Sequence, residues 1–138
     1  HDMRSYIGNR FYGCDECLSS CPPGQTKDFH IDLTSKVDLK GIIKMSNDEL
    51  IESYSWFYIP KRNGDYLKRN ALIALANNPD RSAVDFIFSL LKSESEIIRF
   101  YSIWAIWKLQ RLGELMQYYD VNLEKSKLVK DEYLRLMK

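Results

Sequence analysis

Three thiols stand within eight residues of one another in the run FYGCDECLSSCPPGQ, residues 11–25. Cys14, Cys17 and Cys21 are all the cysteines of the 138-residue chain. A secreted disulfide scaffold normally shows an even count spread along the sequence. An odd, tightly clustered set reads instead as metal ligands kept reduced, which places the chain in the cytoplasm. Gly13 admits a close backbone approach ahead of the first thiol. Pro22 and Pro23 break the chain behind the last, and Pro22-Pro23-Gly24 stops any regular element. A zinc site is an alternative, although zinc sites usually pair C-x2-C with a second such pair or with two histidines. His1 and His30 are the only histidines and neither sits at that spacing. Three free thiols are the other alternative.

The spacing C-x2-C-x3-C-P coincides with the second, third and fourth positions of the bacterial ferredoxin run, C-x2-C-x2-C-x3-C-P. The first position falls on Phe11. In that register Cys14 and Cys17 share one [4Fe–4S] cluster and Cys21 reaches a second. Each cluster takes four thiolates, so about five further ligands must come from other chain.

A different chemistry is offered downstream. Lys61, Arg62, Lys68 and Arg69 put four cations within nine residues against a single acid, Asp65. Lys68, Arg69 and Asn70 fall on the first turns of a predicted helix, behind a turn at Asn63-Gly64. Such a patch suits the phosphates of a nucleic acid, which position a strand without reading its sequence. Tyr58 and Tyr66 flank it and could stack on unpaired bases. The bulk balance gives no help, since 20 Lys and Arg against 19 Asp and Glu leave a net charge of +1. The competing reading is a solvated helix face, or an Arg69 paired internally with an acid.

These residues need elements to hold them. Residues 1–35 carry little helical periodicity beyond a short piece around Asp2–Ile7, and FHIDL at 29–33 alternates as an extended stretch would. From Asp38 onward the pattern is helical. Asp38 is a predicted N-cap, and Ser46 with Glu49 form a capping-box signature. Pro60 ends what precedes it. Helices are predicted over NGDYLKRNALIALANN, over RSAVDFIFSLLK with Val84, Ile87, Phe88 and Leu91 on one face, over SEIIRFYSIWAIWKL behind Ser95, and over LVKDEYLRLM. The dense rings Phe100, Tyr101, Trp104 and Trp107 read as core, whereas Trp56, Phe57 and Tyr58 sit at a bend. A shift of 31 residues lays Leu67 on Ile98, Lys68 on Arg99, Ile73 on Trp104, Ala74 on Ala105 and Leu75 on Ile106. The following helices correspond as Val84 to Leu115 and Phe88 to Tyr119. A period of that length made of two helices is the mark of an α-solenoid. No apolar run of about 18 residues exists, so no membrane span is expected.

The stretch RSYIGNRFYGCDECLSSCPPGQ, residues 4–25, resembles the second ferredoxin half of epoxyqueuosine reductases. The passage PKRNGDYLKRNALIALAN, residues 60–77, resembles the basic entry to that family's helical C-terminal domain. The resemblance covers most of residues 4–109. Behind Cys21 the family commonly has Pro-Trp-Asn where this chain has Pro22, Pro23 and Gly24. The resemblance implies a mainly α fold: a loop-rich half of a ferredoxin-like 4Fe–4S module over residues 1–35, then a HEAT-like α-solenoid of helix pairs over 36–138. It implies two [4Fe–4S] clusters shared with upstream cysteines, a cobalamin bound by an N-terminal part ahead of His1, an external electron donor, and the tRNA anticodon arm as guest of Lys61, Arg62, Lys68, Arg69 and Asn70. The catalytic residue would then lie outside this chain. The alternatives are a HEAT-like scaffold with a vestigial or zinc-holding cysteine loop, or a ferredoxin-like electron-transfer protein with a substrate other than tRNA.

Overall fold

Seven α-helices follow one another in the computed structural model, which describes residues 3–13, 17, 20–22, 37–80 and 82–138. They are α1 (Leu39–Lys44), α2 (Asn47–Ser53), α3 (Asp65–Asn77), α4 (Ala83–Ser89), α5 (Glu96–Lys108), α6 (Leu112–Tyr118) and α7 (Lys127–Leu136). Short 3₁₀ turns lie at Met3–Ile7, Pro60–Arg62 and Leu90–Lys92. Every regular element among the described residues is helical. The extended stretch expected at 29–33 and the boundary expected between 35 and 36 lie outside the described residues, as do His1 and His30.

The helix starts follow the predicted chemistry. Asp38 accepts from Gly41 N at 2.9 Å, and Ser46 and Glu49 close both halves of the capping box at 3.2 and 2.7 Å. Ser95 and Ser126 cap α5 and α7 through the backbone N–H of Ile98 and Val129. Each cap is of a kind worth about 1 kcal/mol.

The repeat runs one step further than the sequence reading took it. The long helices begin at 65, 96 and 127, two successive shifts of 31 residues. Leu67, Ile98 and Val129 are all buried, and so are Ala74, Ala105 and Leu136. Helix α5 therefore packs between α3 and α7, while α1 covers the other side of α3. The capping serines repeat too: Ser95 Oγ donates to Asp65 and Ser126 Oγ donates to Glu96, each at 2.7 Å. The short helices depart from the expected register. Helices α4 and α6 start 29 residues apart, at 83 and 112. Five residues, 78–82, link α3 to α4, whereas three, 109–111, link α5 to α6. The longer link holds Pro79 and the Asp80 turn, in which Asp80 accepts from Ser82 N at 2.8 Å.

The core is the interior of this stack. Trp104, Leu50, Leu72, Ile87, Ile103, Ile106 and Leu115 are sealed from solvent. Each such side chain contributes roughly 1.5–3 kcal/mol of burial. Of the expected aromatic core, Trp104 is fully buried and Phe100, Tyr101 and Trp107 are half-buried against it.

Candidate nucleic-acid interface and cysteine segment

The basic passage is built in two pieces. The first is the turn at Pro60–Arg62. Lys61 has φ 54° and Arg62 φ 49°, both in the left-handed region that side-chain-bearing residues avoid. Backbone bonds hold the turn, Arg62 N to Ile59 O at 3.0 Å and Asn63 N to Pro60 O at 3.1 Å, and Ile59 is buried beneath it. Lys61 and Arg62 are both exposed. They line a cavity of about 330 Å³ together with Ile51, Tyr54, Phe57 and Tyr58.

The second piece is the first turns of α3. Asn63 Oδ1 accepts from Asp65 N at 2.9 Å, and Asn47 Oδ1 accepts from Gly64 N at 2.8 Å. A Cβ at Gly64 would lie 2.9 Å from Leu50 Cδ1 and 3.2 Å from Asn47 Oδ1. The close approach that this glycine permits is therefore made to α2. Asp65, the lone acid of the patch, is engaged by Ser95. Lys68 is half-buried and forms no hydrogen bond or ion pair among the described residues. Arg69 is paired with no acid among the described residues. Its Nε and Nη2 donate to Asn70 Oδ1 at 3.1 and 2.9 Å, and its guanidinium lies 5.3 and 5.8 Å from the ring centres of Tyr66 and Tyr101. Aromatic faces hold a guanidinium through the ring quadrupole. Asn70 opens instead on a second cavity, of about 380 Å³, lined by Met3, Tyr6, Arg10, Phe11 and Tyr12 among others.

Tyr12 joins the two pieces. Its ring stacks flat on Phe57, with centroids 3.7 Å apart and planes 3° apart, and its hydroxyl oxygen accepts from Tyr58 N at 2.8 Å. Phe11 packs edge-on against Tyr54 at 5.7 Å. Further back, Asn77 Nδ2 donates to the carbonyls of Arg4 and Gly8, both at 2.9 Å. Arg4 reaches Glu132 of α7 at 2.7 Å and lies 4.9 Å from the Trp104 ring centre. Burial pushes the Glu132 carboxyl up, and the hydrogen bonds from Arg135 and Arg4 more than reverse this. The segment ahead of the cysteines is thus fastened to all three long helices. Sequence reasoning did not single out Arg4 or Tyr12. Their partners lie 128 and 46 residues away, and only the ring-rich stretches 54–58 and 100–107 hinted at a place for them.

Of the three expected thiol ligands, Cys17 and Cys21 are exposed and not disulfide-bonded, and Cys14 lies outside the described residues. Gly13, just ahead, has φ 71° with open space around its Cβ position, so its glycine serves backbone conformation here. No group of three ligating side chains comes together among the described residues. The donor chemistry, free soft thiols at solvent, fits a thiolate-ligated centre such as an iron–sulfur cluster or zinc.

Among the described residues the chain is a helical repeat stack, with the segment ahead of the cysteines fastened along it. No protein-family model matches it. Solved structures of epoxyqueuosine reductase do. One, with a tRNA-Tyr epoxyqueuosine-modified tRNA stem loop, superimposes with a TM-score of 0.76 at 32% identity, over 99% of this chain and 39% of that one. The Bacillus subtilis epoxyqueuosine reductase is 35% identical over 116 residues, which is 78% of this chain and 30% of that protein. An uncharacterized protein of Geobacillus stearothermophilus is 37% identical over 116 residues and is covered to 54%. The chain is similar to epoxyqueuosine reductases and spans well under two thirds of the length of these relatives.

Proposed function

We propose that this chain is the RNA-holding and cluster-ligating part of an enzyme that reduces epoxyqueuosine to queuosine in tRNA, in the cytoplasm. Its helical repeats take the anticodon arm through Lys61, Arg62, Lys68 and Arg69, with Asn70 beside them. Cys14, Cys17 and Cys21 ligate two [4Fe–4S] clusters together with cysteines elsewhere. Those clusters, when bound, supply one-electron transfer toward a cobalamin held by another part of the protein, fed by an external donor. The residues of this chain bind and orient, and none is assigned a catalytic role. The exposed thiols stay accessible for ligation.

The observation that carries the RNA half is the state of the cations. Lys61, Arg62, Lys68 and Arg69 form no ion pair among the described residues, while the one acid between them is turned to Ser95. Lys68 lies in the field of the Glu49 carboxylate of α2 and Arg69 is held by two rings, so the exposed Lys61 and Arg62 are the cations most open to a phosphate backbone. The test is binding of an RNA stem-loop at two salt concentrations. Reversal of all four cations to Glu is expected to lower affinity at least ~10-fold and to flatten the salt dependence. Unchanged affinity would sink the RNA half. For the thiols, iron and acid-labile sulfide are measured anaerobically on the complete gene product. About eight irons per chain are expected, falling by about half or more in Cys17→Ser.

A further inference from the structure

We infer that the cavity beside the Pro60–Arg62 turn is a pocket for one unpaired nucleotide of the bound RNA. This rests on the RNA reading above and names the part of the strand that enters. Tyr58, which lines the cavity, is 80% exposed, and Trp56, which stands in the chain between the lining residues Ser55 and Phe57, is 73% exposed. They are not loose. Trp56 is held edge-on by Phe57, with centroids 5.9 Å apart and planes at 81°, and Phe57 is clamped flat by Tyr12. The backbone of Tyr58 is fixed through its N–H to Tyr12 Oη. Exposed rings on a braced support lose little freedom when something stacks on them.

The cations at the same rim are held at a cost. Two successive non-glycine residues, Lys61 and Arg62, sit at positive φ, a strained conformation that side-chain-bearing residues rarely adopt. The flat faces suit a base and the strained cations suit the phosphate attached to it. A paired base offers no free face, so a duplex would reach the cations and leave Trp56 and Tyr58 bare. An acidic peptide would do the same. A neighbouring hollow shares Arg62 but is lined by Asp48 and Glu52, which repel phosphate and direct the strand to the Lys61 side.

The test uses this 138-residue chain, an RNA stem-loop, the same stem as a duplex covalently closed at both ends, and a polyglutamate peptide. Of the three tryptophans, Trp104 is sealed and Trp107 half-buried, so iodide quenching reports mainly on Trp56. The stem-loop is expected to protect that emission from iodide and the duplex is not. Trp56→Ala and Tyr58→Ala are each expected to weaken stem-loop binding about 5- to 150-fold, with circular dichroism unchanged. The protection measurement needs no variant, so it decides the matter even where a substitution unfolds the loop. Salt-dependent stem-loop binding with no protection and no loss in either variant would overturn the pocket and leave the RNA reading standing. No binding of either RNA at low salt would overturn both. Protection by an acidic peptide but not by the stem-loop would overturn the pocket in favour of a protein partner.

Discussion

Lys68 and Arg99 occupy the same place in successive repeats, 31 residues apart on α3 and α5, and their surroundings differ. Arg99 is locked. Its Nε and Nη2 donate to both carboxylate oxygens of Glu124 at 2.8 Å, and its Nη1 caps the carbonyls of Ser93 and Glu94. Tyr119 Oη and Ser126 N complete the shell around Glu124. Shifted back by 31, the position of Glu124 is Ser93, so Lys68 meets a serine position where Arg99 meets a carboxylate. One repeat uses its cation to bind itself together. The other gives its half-buried cation no such bidentate partner, only the field of Glu49 from α2. Repeat symmetry therefore fixes where a charge is placed, and the residue one loop later decides whether that charge is locked by a carboxylate of its own repeat.

The largest expected effect lies on the locked side. Glu124→Ala leaves the half-buried Arg99 guanidinium without its counter-charge, and urea unfolding should show a loss of roughly 3–5 kcal/mol. Lys68→Ala should stay within about 0.5 kcal/mol of the parent while weakening stem-loop binding. Equal destabilisation by both would erase the distinction. The distinction is sharpened by Ser93→Glu. A carboxylate placed as Glu124 is placed should capture Lys68 and lower RNA affinity by about 5-fold or more.

The pH dependence separates the two sides more finely. Hydrogen bonds from Arg99 lower the Glu124 carboxyl against the opposing effect of burial, and Tyr119 Oη and Ser126 N assist, to a value of about 2. Burial, with the hydrogen bond to Glu124, pushes the Tyr119 hydroxyl up. Because the Glu124 carboxyl titrates lower in the folded state, its stabilisation is complete above the ordinary glutamate value of 4.5 and fades as pH falls toward about 2. The parent chain should lose about 3 kcal/mol of stability across that window from this group. In Glu124→Gln that acid-side component should vanish. An unaltered acid limb in Glu124→Gln would show that Glu124 is not the group that titrates.

Much of this arrangement could be read in the sequence, because it rests on local chemistry. The capping serines, the capping box and the 31-residue match of α3 with α5 are all short-range or periodic signals. The third long helix carried the same period. It is amphipathic where α5 is apolar nearly all round, so the two do not look alike, and Val129 and Leu136 align with Ile98 and Ala105 only once the helix starts are known. The link before α4 hid its two extra residues because Pro79 and Asp80 read simply as a turn. What could not be read were contacts across the chain. Nothing near Arg4 announces Glu132 or Trp104, and nothing near Tyr12 announces Phe57. Of the site, the cations were legible as a group, but their division between an exposed strained turn and a ring-held Arg69 depends on Tyr66, Tyr101 and backbone angles that composition does not encode.

The smallest effects test whether the repeats are alike where their chemistry is alike. Ser95 and Ser126 each cap a long helix and each donate to an acid of the helix before, Asp65 or Glu96. Replacement of either by Ala removes one cap, worth about 1 kcal/mol, together with an inter-repeat hydrogen bond that is partly replaced by water. Comparable losses of about 1–2 kcal/mol are expected for the two variants in urea unfolding. Their effect on RNA should nevertheless differ. Ser95→Ala frees Asp65 beside Lys68 and Arg69, adding an unengaged carboxylate to the basic face, and stem-loop affinity should fall by about 2- to 5-fold. Ser126→Ala frees Glu96, on a helix whose cation at the matching position is already held by Glu124, and stem-loop affinity should not change. Equal losses of affinity in the two variants would mean that the open and locked repeats do not differ in the way their cations are held.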